Sequence, residues 1–336
     1  MLKKSYGCDI SAMNTFRMKV TCRCLVEYDS VSDLIDLEIE DLPKPVLPIG
    51  GGSNLLFTGD FPGTLLHSKI SFIESLGKGL YSVGAGVNFD SFCAWAASKG
   101  LWGAENLSLI PGDVGAAAVQ NIGAYGVEVK DIVSEVYCFD LEECEMVRFG
   151  VADCGYAYRD SVFKREGMKG RYIVTHVVFH LDADGPSLSY GHLKEAVLEA
   201  SGGVGPTPEL VRRVIVGIRE EKLPDPAKTG SAGSFFKNPV VERKVYDAVA
   251  SSSQSPVPHY DLPDGSVKIP AAWLIEQCGW KGRRSGNAAV WERQPLVIVN
   301  HTGMALPEEI ISLEKKIMIS VRERFGIELN PEVEHV

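Results

Sequence analysis

The sequence predicts an α+β protein built from three successive α/β regions, and three observations predict it. Apolar runs of strand length recur between turn signals, among them "KPVLPIG", "LYSVGAG" and "RYIVTHVVFHLD". A helical period is sustained in only a few stretches, most clearly over 207–222 and 307–325. The length of 336 residues suits two or three cores rather than one.

In the first region, 1–70, "NTFRMKVTCRCLVEY" alternates as a strand does, which puts Cys22 and Cys24 on one face. "SVSDLIDLEIEDL" reads as a short helix, "KPVLPIG" as a buried strand running into Gly50–Gly52, and "TLLHSKI" as another strand. The second region, 71–217, is richer in strands. "LYSVGAG" is one; "DIVSEVYCFDLEECEMVRFG" reads as two about an acidic turn; "RYIVTHVVFHLD" is a β-branched fourth. "NFDSFCAWAASKGL" reads as a helix capped by Asn88 or Asp90, with Phe89, Phe92, Cys93 and Ala96 on one face and Gly100 after its end. Residues 105–129 are almost uncharged, dense in Gly and Ala, and carry no clean period. A helix then starts after Thr207 as N-cap, with Pro208 in its first turn and Val211, Val214, Ile215 and Ile218 along one side. The third region, 218–328, places helices in "NPVVERKVYDAVAS" and "PAAWLIEQCGW", strand in "AAVWERQPLVIVN", and a long amphipathic helix over 307–325. Ile310, Leu313, Ile317 and Val321 form its inner stripe and Gly326 ends it. The tail 329–336 is extended and able to return to the first region.

Hydrophobic residues at 45% and charged ones at 23% are ordinary for a globular protein. Lys and Arg number 34 against 44 Asp and Glu, so the net charge is 34 − 44 = −10. That argues against a surface that tracks nucleic acid, whose affinity comes from clustered cations. It leaves room for an anionic small ligand in one pocket. The eight cysteines include no C-x-x-C pair, and the start lacks an apolar leader. Free thiols in a reducing, cytoplasmic setting are expected. No window approaches ~18 consecutive apolar residues, so no membrane span is expected.

Three glycine clusters compete as ligand loops: Gly50–Gly52, Gly84/Gly86 and Gly123/Gly126. None carries the lysine of a Walker loop, and "GGGSNL" and "GAGVNF" both lack the third glycine of a dinucleotide fingerprint. What remains is a split cradle. The runs 50–54 and 111–125 offer backbone N–H groups with little side chain in the way. Two such walls hold an extended dinucleotide by its pyrophosphate without relying on a helix dipole. The competing reading is packing glycines and ordinary turns. His176 and His180 are four apart, but on a strand that is roughly 13 Å, so no metal site is expected.

Six motifs in order decide between these readings: "IGGGSN", "IPGDVGAAAVQNIGAYGVE", "YRDSVFK", "KLPDP", "GSFFKNP" and "NPEV". In this arrangement, which runs from about Asn14 to the C-terminus, the chain resembles the UDP-N-acetylenolpyruvoylglucosamine reductase family. The resemblance implies FAD bound non-covalently by two α/β domains of the vanillyl-alcohol-oxidase-like (PCMH-type) fold, 1–70 and 71–217, with 218–328 as the substrate-binding domain. It carries FAD contacts onto Gly50, Gly51, Gly52, Ser53 and Asn54 in the first wall. In the second it carries them onto Pro111, Gly112, Gly115, Ala116, Gln120, Asn121, Gly123, Ala124 and Tyr125.

The implied reaction is NADPH-dependent reduction of the enolpyruvyl ether of UDP-N-acetylglucosamine, a step in peptidoglycan precursor synthesis. Hydride comes from flavin N5, and charge builds on the carbon next to the carboxylate. By resemblance Arg159 forks onto that carboxylate, Glu332 hydrogen-bonds the enolate as a protonated acid, and Ser234 donates the proton. Lys222 is implied at the substrate diphosphate, Asn238 in the same site, and Tyr190 on a loop over the substrate mouth. Arg219 faces either FAD or substrate. No obligate protein partner is implied.

Two departures are modest. Ala157 stands where relatives often have glycine, and the alanines of "VGAAAVQN" stand where some have serine, which makes Ala116 a backbone donor only. A flavin oxidase or dehydrogenase of the same fold, and a non-catalytic UDP-sugar-binding flavoprotein, are the alternatives. The first is disfavoured because neither glycine wall holds a His or Cys for covalent flavin attachment, and the second because Ser234, Arg159 and Glu332 are all present.

Overall fold

The computed structural model describes residues 1–181 and 185–336. They form two compact units. The first comprises Met1–Asp9, Thr21–Gly52 and Phe61–Arg219, the second Ile10–Val20, Ser53–Asp60 and Glu220–Val336.

The first unit holds two sheets. In one, Thr21–Tyr28 lies between Lys3–Asp9, antiparallel, and Phe61–Ser68, parallel; Val46–Ile49 completes it, parallel to Phe61–Ser68. Cys22 and Cys24 share the buried face, as their spacing requires. The other sheet is antiparallel throughout. Its order is Glu145–Gly150, Val133–Asp140, Tyr172–His180, Leu80–Gly84, Ile73–Gly77. Expected strand residue Asp182 lies outside the described residues. His176 sits on this sheet with its ring stacked on Tyr137 at 4.3 Å. The helix Phe89–Ser98 packs Phe89, Phe92, Cys93 and Ala96 into the core, and the Asn88 side chain accepts the Ser91 N–H at 3.0 Å. Phe92 and Phe179 meet at 4.6 Å in that core.

Several elements differ from expectation. The 105–129 stretch contains a helix, Val114–Gln120. Its Gly and Ala residues show no polar–apolar contrast, yet Val114, Gly115, Ala117 and Ala118 are buried because small side chains let the helix lie close to the sheet. Strand Lys3–Asp9 is polar because it is a sheet edge. Residues 14–20 do not continue the Thr21–Tyr28 strand; they belong to the second unit. There the buried Asn14 amide bonds the Ile10 and Met18 carbonyls and the Met18 N–H, closing a turn. The 31–42 helix is broken into Val31–Ile35 and a 3-10 turn at Ile39–Asp41.

The second unit is organised on an antiparallel sheet in the order Gly230–Ser234, Val297–Asn300, Ala288–Val290, Arg284–Ser285. The helix Pro307–Phe325 covers it with Ile310, Leu313, Ile317 and Val321 fully buried, and Gly326 follows it in the left-handed conformation. Glu334–His335 pairs in parallel with Leu55–Leu56, so the tail does turn back to an earlier segment.

Ile317→Ala is expected to destabilise by about 2–5 kcal/mol through the cavity it leaves. Ile319→Ala, at a position 45% exposed, is expected to change stability by less than about 0.5 kcal/mol. Urea midpoints of the two variants check this.

Candidate functional site

In the first unit the two glycine walls come together. A Cβ on Gly50 would lie 2.9 Å from the Ala116 Cβ, and one on Gly51 would lie 3.1 Å from the Gly112 Cα. A side chain at Gly50 would collide with Ala116, and one at Gly51 would press tightly on the Gly112 backbone. Gly112 and Ala116 therefore lie against Gly50 and Gly51, whereas Gly115 faces Ala85 and Val174 of the sheet, and Gly123 faces Arg159 and Glu128. Asn121 is fully buried. Its side-chain amide donates to the Ala157 carbonyl at 2.8 Å and to Glu128 at 3.0 Å, and its Oδ1 accepts the Lys130 N–H at 3.2 Å. Its side chain is thus turned to the neighbouring turns. Gln120 Oε1 accepts the Lys164 ammonium at 2.5 Å.

One of these turns carries Arg159. Residues Ala157 and Asp160 close a tight turn, bonded to each other through their backbones, with Arg159 at φ +55°. The Ser161 hydroxyl donates to the Val119 carbonyl at 2.6 Å, and Lys164 reaches the Arg159 carbonyl at 3.0 Å. Arg159 Nη2 donates to the Gly123 carbonyl at 2.6 Å and Nη1 to the Asn121 carbonyl at 3.3 Å. These two carbonyls orient the guanidinium.

A second arginine approaches Leu109, just before the 111–125 wall, from the helix Pro208–Lys222. The Thr207 hydroxyl caps that helix at 3.2 Å, and Arg212 forks onto Asp90 at 2.5 and 3.0 Å. Burial works to raise the Asp90 pKa, but Arg212 and the Leu109 N–H outweigh it and hold the carboxyl below its usual range. Arg219, two turns on, donates through Nη2 to the Leu109 carbonyl at 3.2 Å, while its Nε is buried with no hydrogen-bond partner. Burial pulls its pKa down, and Tyr125 beside it works the other way. Tyr190 is 44% exposed and meets the Tyr125 ring edge-to-face at 5.9 Å.

The remaining expected residues lie in the second unit. Ser234 ends the strand Gly230–Ser234. The pairing with Val297–Asn300 slips between Ser231 and Ser234, where Gly233 has φ +68°. This bulge turns Ser234 outward while Phe235 and Phe236 remain buried. Glu332 is brought directly alongside: its N–H donates to the Phe235 carbonyl at 2.8 Å, and the Lys237 N–H donates to the Asn330 carbonyl at 2.9 Å. Asn54 holds the same tail, its amide donating to the Glu332 carbonyl at 3.0 Å and its carbonyl accepting the Glu334 N–H at 3.0 Å. Ser53 precedes it in this unit. Asn238 Oδ1 accepts the Ala271 N–H at 2.9 Å, at the start of the helix Ala271–Gln277. Lys222 is exposed, and its carbonyl is held by the Trp291 indole N–H at 3.1 Å.

Two polar residues were not foreseen. Glu314 is buried on the inner face of Pro307–Phe325, with His335 Nε2 3.2 Å from its carboxyl. Burial pushes the Glu314 pKa up to about 7. It sits four after Ile310 and three before Ile317, so its place within the apolar stripe was the available signal. Asn106 is fully buried and appears in the sequence as an ordinary loop asparagine.

An FAD binding domain model matches residues 24–150, and a model of the UDP-N-acetylenolpyruvoylglucosamine reductase C-terminal domain matches 225–336. A crystal structure of UDP-N-acetylenolpyruvylglucosamine reductase from Thermus caldophilus has the same fold, with TM-score 0.68, 23% identity, and coverage of 100% of this chain and 98% of that one. An FAD-binding domain joined to such a C-terminal domain defines an α+β flavoprotein oxidoreductase. Among sequence relatives, the UDP-N-acetylenolpyruvoylglucosamine reductase of Bacteroides fragilis strain YCH46 is 47% identical over 329 residues, 96% of this chain and 97% of that protein. That of Chromobacterium violaceum is 46% identical over 333 residues, 96% of each. The chain belongs to the UDP-N-acetylenolpyruvoylglucosamine reductase family. The residues fit FAD: the close-set glycine walls expose backbone donors, and the orphaned Arg219 Nε is a buried donor that a cofactor oxygen would satisfy.

Gly50→Ala is expected to weaken FAD binding roughly tenfold or more, about 1.4 kcal/mol, by pushing the walls apart. Gly59→Ala, where a Cβ meets nothing within 4 Å, is expected to leave it unchanged. Flavin fluorescence on titration into apoprotein reads both. A second expectation concerns Glu314. Its pKa is raised in the folded state, so between about pH 4.5 and 7 the unfolded chain loses this proton first and stability falls. Glu314→Gln removes that loss. Its stability relative to the parent is expected to rise across this window, by roughly 1–3 kcal/mol in total, in urea unfolding at stepped pH.

Proposed function

We propose that this chain reduces the enolpyruvyl ether of UDP-N-acetylglucosamine to UDP-N-acetylmuramate, with NADPH as electron source, in the cytoplasmic assembly of peptidoglycan precursors. FAD, held by the glycine walls and Arg219, supplies the hydride when bound. Addition at the terminal methylene leaves negative charge on the carbon beside the carboxylate. Arg159 binds that carboxylate with a permanent charge, preset by its bonds to the Asn121 and Gly123 carbonyls. Ser234 donates the proton. A hydroxyl is a weak acid, but an enolate carbon is a strong base, and the bulge at Gly233 turns the Ser234 side chain out of the sheet. Glu332 hydrogen-bonds the enolate as a protonated acid. Lys222 takes the diphosphate, the Asn238 NH2 takes a second acceptor of the sugar nucleotide, and Tyr190 covers the substrate. The reaction needs no nucleic acid, membrane or obligate protein partner. Among the described residues no helix is long and apolar enough to cross a membrane.

The observation that carries this reading is the backbone bond from Glu332 to Phe235, which sets the enolate acid one residue from the proposed proton donor. The reading is tested by bleaching the flavin with NADPH and adding the enolpyruvyl substrate without oxygen. Recovery of the yellow colour supports it, and its absence refutes it.

Ser234→Ala is expected to leave flavin reduction by NADPH within about twofold while reoxidation by substrate falls by at least about 10²-fold, in line with loss of a general acid. Equal losses in both half-reactions, followed by stopped-flow absorbance, would contradict the role.

A further inference from the structure

We infer that Asn106 is a positioning residue that couples the FAD wall to the segment bearing Tyr190, so that cofactor binding orders the substrate cover. The inference rests on the reductase reading for its meaning, but its geometry is independent of it. Asn106 lies on the 3-10 turn Glu105–Leu107 and is fully buried. Its side-chain amide has two hydrogens, and both are committed. One goes to the Tyr125 carbonyl at 2.9 Å and the other to the Ser187 carbonyl at 2.8 Å. Tyr125 belongs to the glycine-rich wall, and Ser187 lies three residues before Tyr190. A single side chain thus ties together two segments that are 62 residues apart in sequence, counting from 125 to 187. Its Oδ1 is buried with no partner, a cost accepted in return for aiming both donors.

Two more contacts join the same segments. The Tyr125 and Tyr190 rings meet edge-to-face, and a Cβ on Gly126 would lie 3.4 Å from the Tyr190 Cβ. Leu188 and Tyr125 also pack on one apolar cluster, formed by Leu193, Val197, Val211 and Ile215. Tyr125 has φ +49°, so the direction of its carbonyl depends on an uncommon backbone state. A ligand that fixes Tyr125 therefore fixes the acceptor of one Asn106 hydrogen and, through the rigid amide plane, the partner of the other. Linkage requires the converse: a substrate that orders Tyr190 tightens FAD.

The test uses amide hydrogen exchange over 187–190 in the whole protein, with and without FAD, and no sugar nucleotide. In the parent, FAD is expected to slow exchange about tenfold. Asn106→Leu is expected to bind FAD yet show less than about twofold protection of these amides, and its KM for the sugar nucleotide is expected to rise about tenfold with flavin reduction unchanged. Asn106→Ala, which also removes both donors, gives the same readout should Asn106→Leu fold poorly. Ser108→Ala removes a buried hydroxyl bond to Glu105 from the same segment and is expected to keep the coupling, which separates coupling from general loosening. Full protection by FAD in either Asn106 variant, or none in the parent, overturns the inference. Failure of enolpyruvyl reduction in the parent would sink the reductase reading and leave this measurement intact.

Discussion

The Glu332 N–H donates to the Phe235 carbonyl at 2.8 Å, and the chemistry proposed for the second unit depends on that bond. Pro331 fixes its own φ, but nothing else local in "NPEV" holds the segment in one conformation. The segment is ordered by what it lies against. Phe235 and Phe236 are buried and anchor one side. Asn54 and the strand Leu55–Leu56 grip the other side, and the Val336 N–H closes onto the Leu56 carbonyl at 2.9 Å. Each bond alone is worth about 1 kcal/mol net, but together they replace the freedom of a tail with the definition of a sheet. Backbone pairing thus sets where the Glu332 side chain leaves the chain.

The first unit solves a different problem, the close approach of two loops. Glycine at 50 and 51 removes the atoms that would hold the walls apart, and small residues in Val114–Gln120 let the second wall lie flat on the sheet. The polar side chains around the walls are then mostly spent on the protein itself. Asn121, Ser161 and Lys164 each serve a carbonyl or amide of a neighbouring turn. The order this creates is what gives Arg159 a defined direction.

Elements with strong contrast between faces were legible in the sequence. The helix Pro307–Phe325 and its four-residue stripe, the Asn88 cap and the strands Leu80–Gly84 and Tyr172–His180 stand where periodicity put them. Elements without contrast were not. "VGAAAVQ" has no polar face to set against an apolar one, and "KKSYGCD" is an edge strand whose partners lie on one side only. The helix Leu193–Ser201 passed unnoticed because Gly and Ser surround it and only Leu193 and Val197 are buried. The candidate site was legible as ordered motifs rather than as physics. Glycine runs suggested a split cradle, but roles for Arg159, Ser234 and Glu332 came from resemblance. Buried polar residues such as Asn106 and Glu314 were hidden because a sequence does not show which polar side chain has lost its water.

Arg159 is held at φ +55°, a conformation in which its own Cβ crowds the backbone. The strain is of order 1 kcal/mol or more, and glycine would relieve it. The protein thus keeps at this turn the residue that the proposed chemistry wants and its backbone does not. Selection for heat tolerance alone would drift this position toward glycine or asparagine, so the persistence of arginine here would mark a lineage that still depends on the reaction.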